Sequence, residues 1–512
     1  MKTMGRTTIY ANYTEEEILQ SDIKRQKEII LDILVNSETI HTNNYNETIY
    51  LRNYLYGDQD IKNKEKKTRT DINNKSVENW AFAFCDWKKT FLLGKPIQYA
   101  PINDVNNDEI TKLNNYNVYE DKDWLDQEIY EDIFTCGRGF RYTYGSPMNE
   151  DDEAPFELIN CDAENTEVVY SSSISHEQLL SYIKTSKKYI DTQLDIQTGD
   201  PKYEERYYDE YTIYTRKNKF VVNNKNGEWQ FIDNKQEPII LNLHIITEYY
   251  MNRERMGFLE LVKDIFDDIN YVENLDLDDI EQFVNSIMVF TNAQVDKEAM
   301  DAIKEYGAVS IKSTEQKQAK VEVLQSRLKS LDTQIFYLRK LNAVHSILSV
   351  PQASNNGEIS NAETGKATLT GQGFTSASVR VEGEEKAFKK CDRNSLKVIL
   401  KICKNTAQSG IKTLKVSDIE SKFSRDLSDN LLVKSQALQT LANAKIPPEV
   451  RNQVVGLFSD PVSVTKLQEM YEKKLEEKAQ LQKQIQDAKS IQNVQEQNNK
   501  IQDTTEKQNQ GE

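Results

Sequence analysis

Histidine and cysteine are scarce in this chain. Across 512 residues there are four histidines, His41, His176, His244 and His345, none with a second histidine at ligand spacing. An isolated imidazole of this kind reads as an ordinary packed or surface side chain before it reads as a metal ligand or a catalyst. The five cysteines, Cys85, Cys136, Cys161, Cys391 and Cys403, include no C-x-x-C pair. An odd number without zinc spacing argues against a disulfide framework and a zinc site, and leaves buried thiols. No stretch approaches the roughly 18 to 20 apolar residues that a membrane span needs. Met1 to Tyr13 lacks the apolar centre of a secretory signal. The chain is expected to be made and used inside a cell, or in something assembled there.

Phosphate-binding loops are missing as well. Gly137-Arg138-Gly139 is a lone G-x-G without a third glycine. Thr364-Gly-Lys-Ala-Thr368 has the outline of a P-loop, but Ser360 replaces its first glycine and Ala367 stands where Ser or Thr should hold magnesium. A calcium loop over Asp121, Asp123 and Asp126 fails because Asp126 occupies the position that needs glycine. No cofactor is implied. The many acids could hide a paired-carboxylate site, since such pairs need no fixed spacing, and a metal-dependent DNA-processing enzyme is the alternative that keeps this option. A structural scaffold or adaptor with no DNA function is a further one.

What the chain has in excess is acid. Asp and Glu number 82 against 65 Lys and Arg, a formal net charge of -17. A protein that grips DNA by neutralising phosphates usually carries a basic face, so the balance opposes tight binding without excluding a protein that touches DNA and lets it pass. With 38% hydrophobic and 29% charged residues the chain is compatible with a globular protein, and its length calls for two to four regions.

Residues 1 to about 50 carry one helical pattern behind the cap Thr14-Glu-Glu-Glu, and Glu47 to Ile61 a second segment stopped by Gly57. Lys62 to Arg69 is basic and reads as solvated charge. Val77 to Leu93 is a helix with an aromatic stripe that belongs to a core, followed by an extended Ile97 to Tyr99. Asp121 to Ile133 is helical. Residues 139 to 247 hold strands at Phe140–Tyr144, Phe156–Asn160, Glu167–Tyr170, Tyr207–Arg216, Phe220–Val222, Trp229–Ile232 and Ile239–Ile246, with a turn at Asn226-Gly227.

The chain is organised around Asn252 to Pro351. After Asn252-Arg-Glu-Arg-Met-Gly257, apolar residues recur at helical spacing from Phe258 through Val262, Ile265, Ile269 and Val272, and again at Ile280, Phe283 and Val284. A compact middle follows, with strands at Ile287–Phe290, Ala308–Ile311 and Ala319–Val323 around a helix at Asp296–Tyr306. A second helical pattern returns from Leu328 to Ile347 and stops before Pro351. The reading is a stalk with a knob. Gln352 to Gly373 is a long polar loop, and Ser376 to Ala407 a long helix. Val416 to Phe423 alternates like a strand, and helices fill Asp429–Ala442, Pro448–Phe458 and Val462–Ile485.

The order of these motifs resembles the portal proteins of tailed bacteriophages, of the siphophage type. The matching pieces are Tyr54-Leu-Tyr-Gly57 with Ile61, Leu92-Leu-Gly-Lys-Pro-Ile-Gln-Tyr99, Pro238-Ile-Ile-Leu241, and Asn252-Arg-Glu-Arg-Met-Gly-Phe-Leu-Glu260 leading into Ile269-Asn270. Ser360 to Ala367 and the terminal helices complete the layout. Thr364 departs from the serine commoner before that glycine, and the loop is unusually polar. The resemblance implies a helix-rich α+β portal fold. Its parts would be a wing (1–253), a stem helix (254–286), a small α/β clip (287–325), a second stem helix (326–349) and a channel loop (350–375). A helix and strand returning to the wing (376–428), a crown (429–485) and a disordered tail (486–512) would follow. It further implies a non-enzymatic, dodecameric ring at one capsid vertex of the virion, assembled in the host cytoplasm. Its partners would be double-stranded DNA without sequence preference, the terminase large subunit, a head-tail adaptor, and the major capsid and scaffolding proteins, with no membrane. Glu260, Asp264, Asp268 and Lys366 are the channel-lining candidates. Arg327, Lys329, Arg339 and Lys340 are intersubunit candidates, and Asp296, Lys297, Lys304 and Glu305 are clip residues for docking terminase and adaptor.

Overall fold

A computed structural model of the chain describes residues 4–67, 70–102, 107–146, 154–194, 201–225, 227–284, 287–291, 320–324, 330–352, 374–424, 438–455, 464–465, 467–480 and 482. It divides into two compact units, Met1–Arg425 and Asp426–Glu512. The larger begins with β1 (Ile9–Ala11), α1 (Glu15–Gln20), α2 (Ile23–Leu55), α3 (Trp80–Leu93), β2 (Gln98–Pro101), α4 (Asn107–Tyr119) and α5 (Lys122–Cys136). Strands β3 (Arg138–Gly145), β4 (Phe156–Cys161), β5 (Thr166–Ser171), β6 (Gln178–Leu194), β7 (Pro201–Thr215), β8 (Asn218–Lys225), β9 (Glu228–Phe231), β10 (Glu237–Pro238) and β11 (Ile246–Tyr250) follow. Then come α6 (Phe258–Val284), β12 (Ile287–Thr291), β13 (Lys320–Leu324), α7 (Ser330–Leu348), α8 (Phe374–Asn405) and β14 (Ile419–Lys422). The fold is helix-rich α+β, as expected.

Thr14 caps only a short helix, its hydroxyl accepting from the Glu17 N–H at 3.2 Å. A second cap restarts the chain: the Asp22 carboxylate accepts from the Arg25 N–H at 2.8 Å, and α2 then runs unbroken for 33 residues. The two segments expected over residues 1 to about 50 and Glu47 to Ile61 are thus joined in one helix, whose buried face changes from apolar to polar midway. Ile29, Ile30, Ile33 and Leu34 give way to Ser37, His41, Asn44 and Thr48, all buried. These polar groups face the sheet, where Asn44 donates to Glu167 at 3.0 Å and Ser37 meets the Tyr182 hydroxyl at 3.4 Å. Helical hydrogen bonding continues where apolar periodicity stops. Gly57, at φ +93°, ends the helix as expected.

Sheet order is β1-β5-β6-β7-β8-β10, with β9 on β8, and α2 lies across it. The longest strand, β6, was not expected. Its stretch from Lys184 to Lys188 is polar throughout, and it holds its place by pairing with β7 from Leu180↔Thr215 to Leu194↔Pro201. Helix α4 also went unanticipated. A second sheet, β11-β3-β4, packs under α5 and α8. The two isolated extended segments of the sequence find each other: β2 pairs antiparallel with β14, Tyr99 opposite Ser421. Val416–Asp418, expected within that strand, is a 3-10 turn. In the smaller unit Pro448–Val455 is helical, as are residues 438–443 and 467–480, and Asn452 donates to the Thr465 hydroxyl at 3.0 Å.

The larger core is stitched by buried charge. Arg141, Lys122, Asp126 and Asp392 form a balanced quartet, with Arg141–Asp126 and Lys122–Asp126 at 2.6 Å and Lys122–Asp392 at 3.1 Å. Tyr99 donates to the remaining Asp392 oxygen at 2.8 Å. A second cluster joins Arg138 to Glu167 through two bonds of 2.6 and 2.7 Å. Burial pushes the Glu167 carboxyl up, but Arg138 and His41 outweigh it and hold it down at about 2. Because that folded value is depressed, the stabilisation is complete above the unfolded value near 4.5 and fades as pH falls toward 2. Glu167→Gln, which strands the Arg138 charge, is expected to cost about 3 to 5 kcal/mol at neutral pH and to flatten the acid limb of stability. Urea midpoints measured from pH 7 to pH 3 check both effects.

Candidate functional site

The long helix α6 starts from a turn that requires two glycines. Asn252 closes the turn on itself, accepting from the Met256 N–H at 2.9 Å and donating to the Met256 carbonyl at 2.7 Å. Gly257 lies against the end of α5, where a β-carbon would come within 2.4 Å of the Thr135 carbonyl oxygen. Gly137, φ +81°, faces it with only 2.1 Å between such a carbon and the Arg255 carbonyl oxygen. Arg255, itself at φ +49°, is buried and grips Glu248 through two bonds of 3.2 and 3.1 Å. The Asn-Arg-Glu-Arg-Met-Gly motif is therefore a wedge that sets the direction in which α6 leaves the body.

Glu260 belongs to this wedge, which corrects its expected place on a channel wall. Its carboxylate accepts from the N–H groups of Gly257 (2.8 Å) and Gly5 (2.9 Å) and pairs with Arg6 at 2.6 Å, leaving the side chain 9% exposed. An acid in the first helical turn satisfies orphan N–H groups and complements the helix dipole.

From there α6 buries Leu259, Val262, Phe266 and Ile269 against Phe84 of α3 and Val344 and Leu348 of α7. At the root, Lys88 of α3 is 2% exposed. Its ammonium pairs with Glu384 of α8 at 2.5 Å, donates to the Leu348 carbonyl that ends α7 at 3.3 Å, and lies 4.5 Å from the centre of the Phe258 ring that begins α6. Tyr130 of α5 donates to the other Glu384 oxygen at 2.7 Å. Burial pushes the Lys88 ammonium down and Glu384 resists.

Further out, α6 is held by a polar ladder. Asn270, Asn274 and Asp278, at steps of four, are all buried. They take the N–H groups of Glu78 (2.8 Å), Ser76 (2.7 Å) and Asn74 (2.7 Å), at steps of two. Asn274 also donates to the Ser76 carbonyl at 2.7 Å. Four helical residues rise about 6.0 Å and two extended residues about 6.6 Å, so the amide side chains stand in for a neighbouring strand. The ladder ends on two cations, with Lys64 at 2.7 Å and Lys66 at 3.0 Å from Asp278. These two lysines were expected to be solvated; Lys64 is only 7% exposed. Their partner lies over 200 residues away, beyond the reach of any local pattern. Burial pushes the Asp278 carboxyl up, but bonds from Lys64, Asn74 and Lys66 hold it well below the usual carboxylate range.

Of the remaining stem acids, Asp264 is 84% exposed. Asp268 is about half exposed and accepts from Lys340 of α7 at 2.6 Å. Lys340, expected to meet a neighbouring subunit, thus ties the two helices of one chain together. Arg339 is exposed, lying over the Phe336 ring. Strands β12 and β13 pair antiparallel, Ile287 opposite Leu324, where two knob strands were expected. The expected helix at 296–306 and strand at 308–311 lie outside the described residues. So do Asp296, Lys297, Lys304, Glu305, Arg327, Lys329 and Lys366.

All five cysteines are free and buried, and burial drives the Cys136 and Cys161 thiols up to about 12. Among the described residues no group of three or more His, Cys, Asp or Glu side chains is placed to hold a metal ion. None of the described helices is long and apolar enough to cross a membrane. What the geometry builds is a braced helix pair on a charge-locked body. The family described as "Phage portal protein, SPP1 Gp6-like" matches residues 36–491, and the chain belongs to that family. It is a tailed-phage portal protein, a structural component of the virion capsid in the DNA-packaging class. No curated protein matches the chain.

Asn274→Ala, which strands both backbone groups of Ser76, is expected to cost about 1 to 3 kcal/mol. Hydrogen exchange at the Ser76 and Glu78 amides reads it locally, with protection at Ser76 falling most. Unchanged exchange there rules out the ladder as the anchor of α6.

Proposed function

We propose that the chain assembles into a closed ring, a dodecamer by family resemblance, at one vertex of the capsid. DNA is packaged and later ejected through the channel of this ring. The observation that carries the reading is the pair α6 and α7, braced at its root and along its length and followed outward by the β12–β13 ribbon. On this reading 1–253 is the wing, 254–286 and 326–349 are the stem helices, and 287–325 is the clip. Residues 350–375 form the channel loop, 376–428 return to the wing, 429–485 make the crown, and 486–512 are the tail. The ring docks the terminase large subunit through the clip, with Asp296, Lys297, Lys304 and Glu305 as contact residues. A head-tail adaptor later takes the same surface, and the major capsid and scaffolding proteins hold the wing.

Charge supports the conduit. A channel that adsorbed phosphate would stall the duplex, whereas exposed carboxylates repel it within about 10 Å at 0.1 M salt. With Glu260 turned inward, Asp264 and Asp268 carry this role, and Lys366 of the channel loop supplies a single polar contact. Arg339, with Arg327 and Lys329, is left to meet the neighbouring subunit.

Negative-stain images of the purified chain are expected to show rings with a duplex-wide hole; solid particles or monomers refute the ring. Reversing two charges, Asp264→Lys with Asp268→Lys, is expected to lower DNA packaged in vitro several-fold at low salt. The deficit should shrink as salt rises. Packaging that is unaffected at every salt concentration removes these carboxylates from the channel wall.

A further inference from the structure

The net charge of -17 conceals one strongly basic surface. Helix α8 buries Val381, Glu384, Phe388, Cys391, Asp392 and Leu396 on one side. Its outer side presents Lys386, Lys389, Lys390, Arg393 and Lys397 at spacings of three and four. Together with Val416, Ser417, Glu420 and Ser421 they line an open groove of about 580 Å³ between α8 and the segment that leads into β14.

These cations are unbalanced. Among the described residues none of the five has a carboxylate within ion-pair distance, although ion pairs are frequent elsewhere in the larger unit. Their recorded contacts are weak: Lys390 reaches the Tyr250 hydroxyl at 3.4 Å, Lys397 the Asn394 amide oxygen at 3.1 Å, and Lys389 stands over Phe423. Burial pushes the Lys389 ammonium down. Glu420 resists, and Arg393, Lys386 and Lys422 push it further down. A fold that gathers like charges without neutralising them favours binding of an anion.

We infer that this groove binds the phosphate backbone of double-stranded DNA on the outside of the protein. The inference rests on the portal reading, which supplies the DNA. The lining selects this occupant over an acidic polypeptide. Protein interfaces centre on buried apolar anchors, and Val416 is the one apolar side chain in the groove. Backbone contacts to DNA come instead from Lys and Arg assisted by short hydroxyl and amide groups, here Ser417, Ser421 and Asn394. From Lys386 to Lys397 the row extends about 16 Å along the helix, enough to follow several phosphates and to read no bases. Binding is therefore independent of sequence. It also concerns another surface than the exposed acids of α6, which belong to the channel wall.

Covalently closed circular DNA separates the two surfaces, because a circle cannot thread a closed ring. The purified full-length protein is expected to bind it, and log affinity should fall steeply with log salt. Replacing Lys386, Lys390, Arg393 and Lys397 together by Gln should make that slope shallower by about 3.6, at roughly 0.9 per lost phosphate contact, and weaken binding at least tenfold in low salt. All four side chains are exposed, so unchanged thermal melting is expected to accompany the loss. A control with Lys24→Gln, Lys62→Gln and Lys67→Gln should keep the slope. Equal slopes for the four-site variant and the wild type overturn the inference. Poly-glutamate competing as well as DNA at matched charge also overturns it, in favour of an acidic polypeptide. Negative-stain images of the same sample keep the two readings apart. Rings that leave circular DNA unbound refute the groove alone, and groove-dependent binding without rings refutes the ring alone.

Discussion

Lys88 carries a charge into a place with almost no water, and five helices are arranged around what that charge needs. Glu384 of α8 neutralises it, the last carbonyl of α7 accepts from it, and the first ring of α6 covers it, while Tyr130 of α5 completes the carboxylate. Apolar surfaces can slide past one another by a turn at modest cost, but a buried ammonium separated from its carboxylate is left uncompensated. The contact adds little net stability after desolvation. What it supplies is a fixed register where α6 and α7 meet the body.

The same device recurs wherever distant segments must meet. The Arg141–Asp126–Lys122–Asp392 quartet joins β3, α5 and α8, and Arg138–Glu167 joins the two sheets. Arg255–Glu248 holds the turn before α6, and Asp278 gathers Lys64 and Lys66. A subset of the charges that the sequence displays as a polar surface is thus buried in pairs. Among the exposed charges, Asp264 and Asp268 stand on α6 and the lysine row on α8. These two surfaces underlie the two proposed relations to DNA, repulsion by the acids of α6 and adhesion at the groove on α8.

Much of this could be read beforehand. Helices α6 and α7 were legible because their buried faces are apolar at helical period, from Leu259 to Ile269 and again at Val344 and Leu348. Gly57 after α2 and Pro351 after α7 mark ends by local backbone chemistry. Strand β6 escaped because Lys184 to Lys188 has no apolar alternation and relies on β7 for its conformation. The middle of α2 escaped for a related reason, its inward face being Ser37, His41 and Asn44. Glu260, Lys64 and Lys66 were misplaced because charge alone says nothing of burial when the partner is far along the chain. The basic row on α8 was present as a spacing of lysines, but its significance depends on the absence of nearby carboxylates in space.

By itself, then, the sequence determined the local elements, the order of regions, the family and the excess of acid, because periodicity, capping and composition act within a few turns of chain. The tertiary structure alone decided which charges are buried and which remain outside. It matched Asn270, Asn274 and Asp278 to the backbone of residues 74 to 78. It also fixed Lys88 between the end of α7 and the start of α6. Desolvation and pairing are properties of neighbours in space, and for these residues the neighbours lie some 200 or more positions away in the chain.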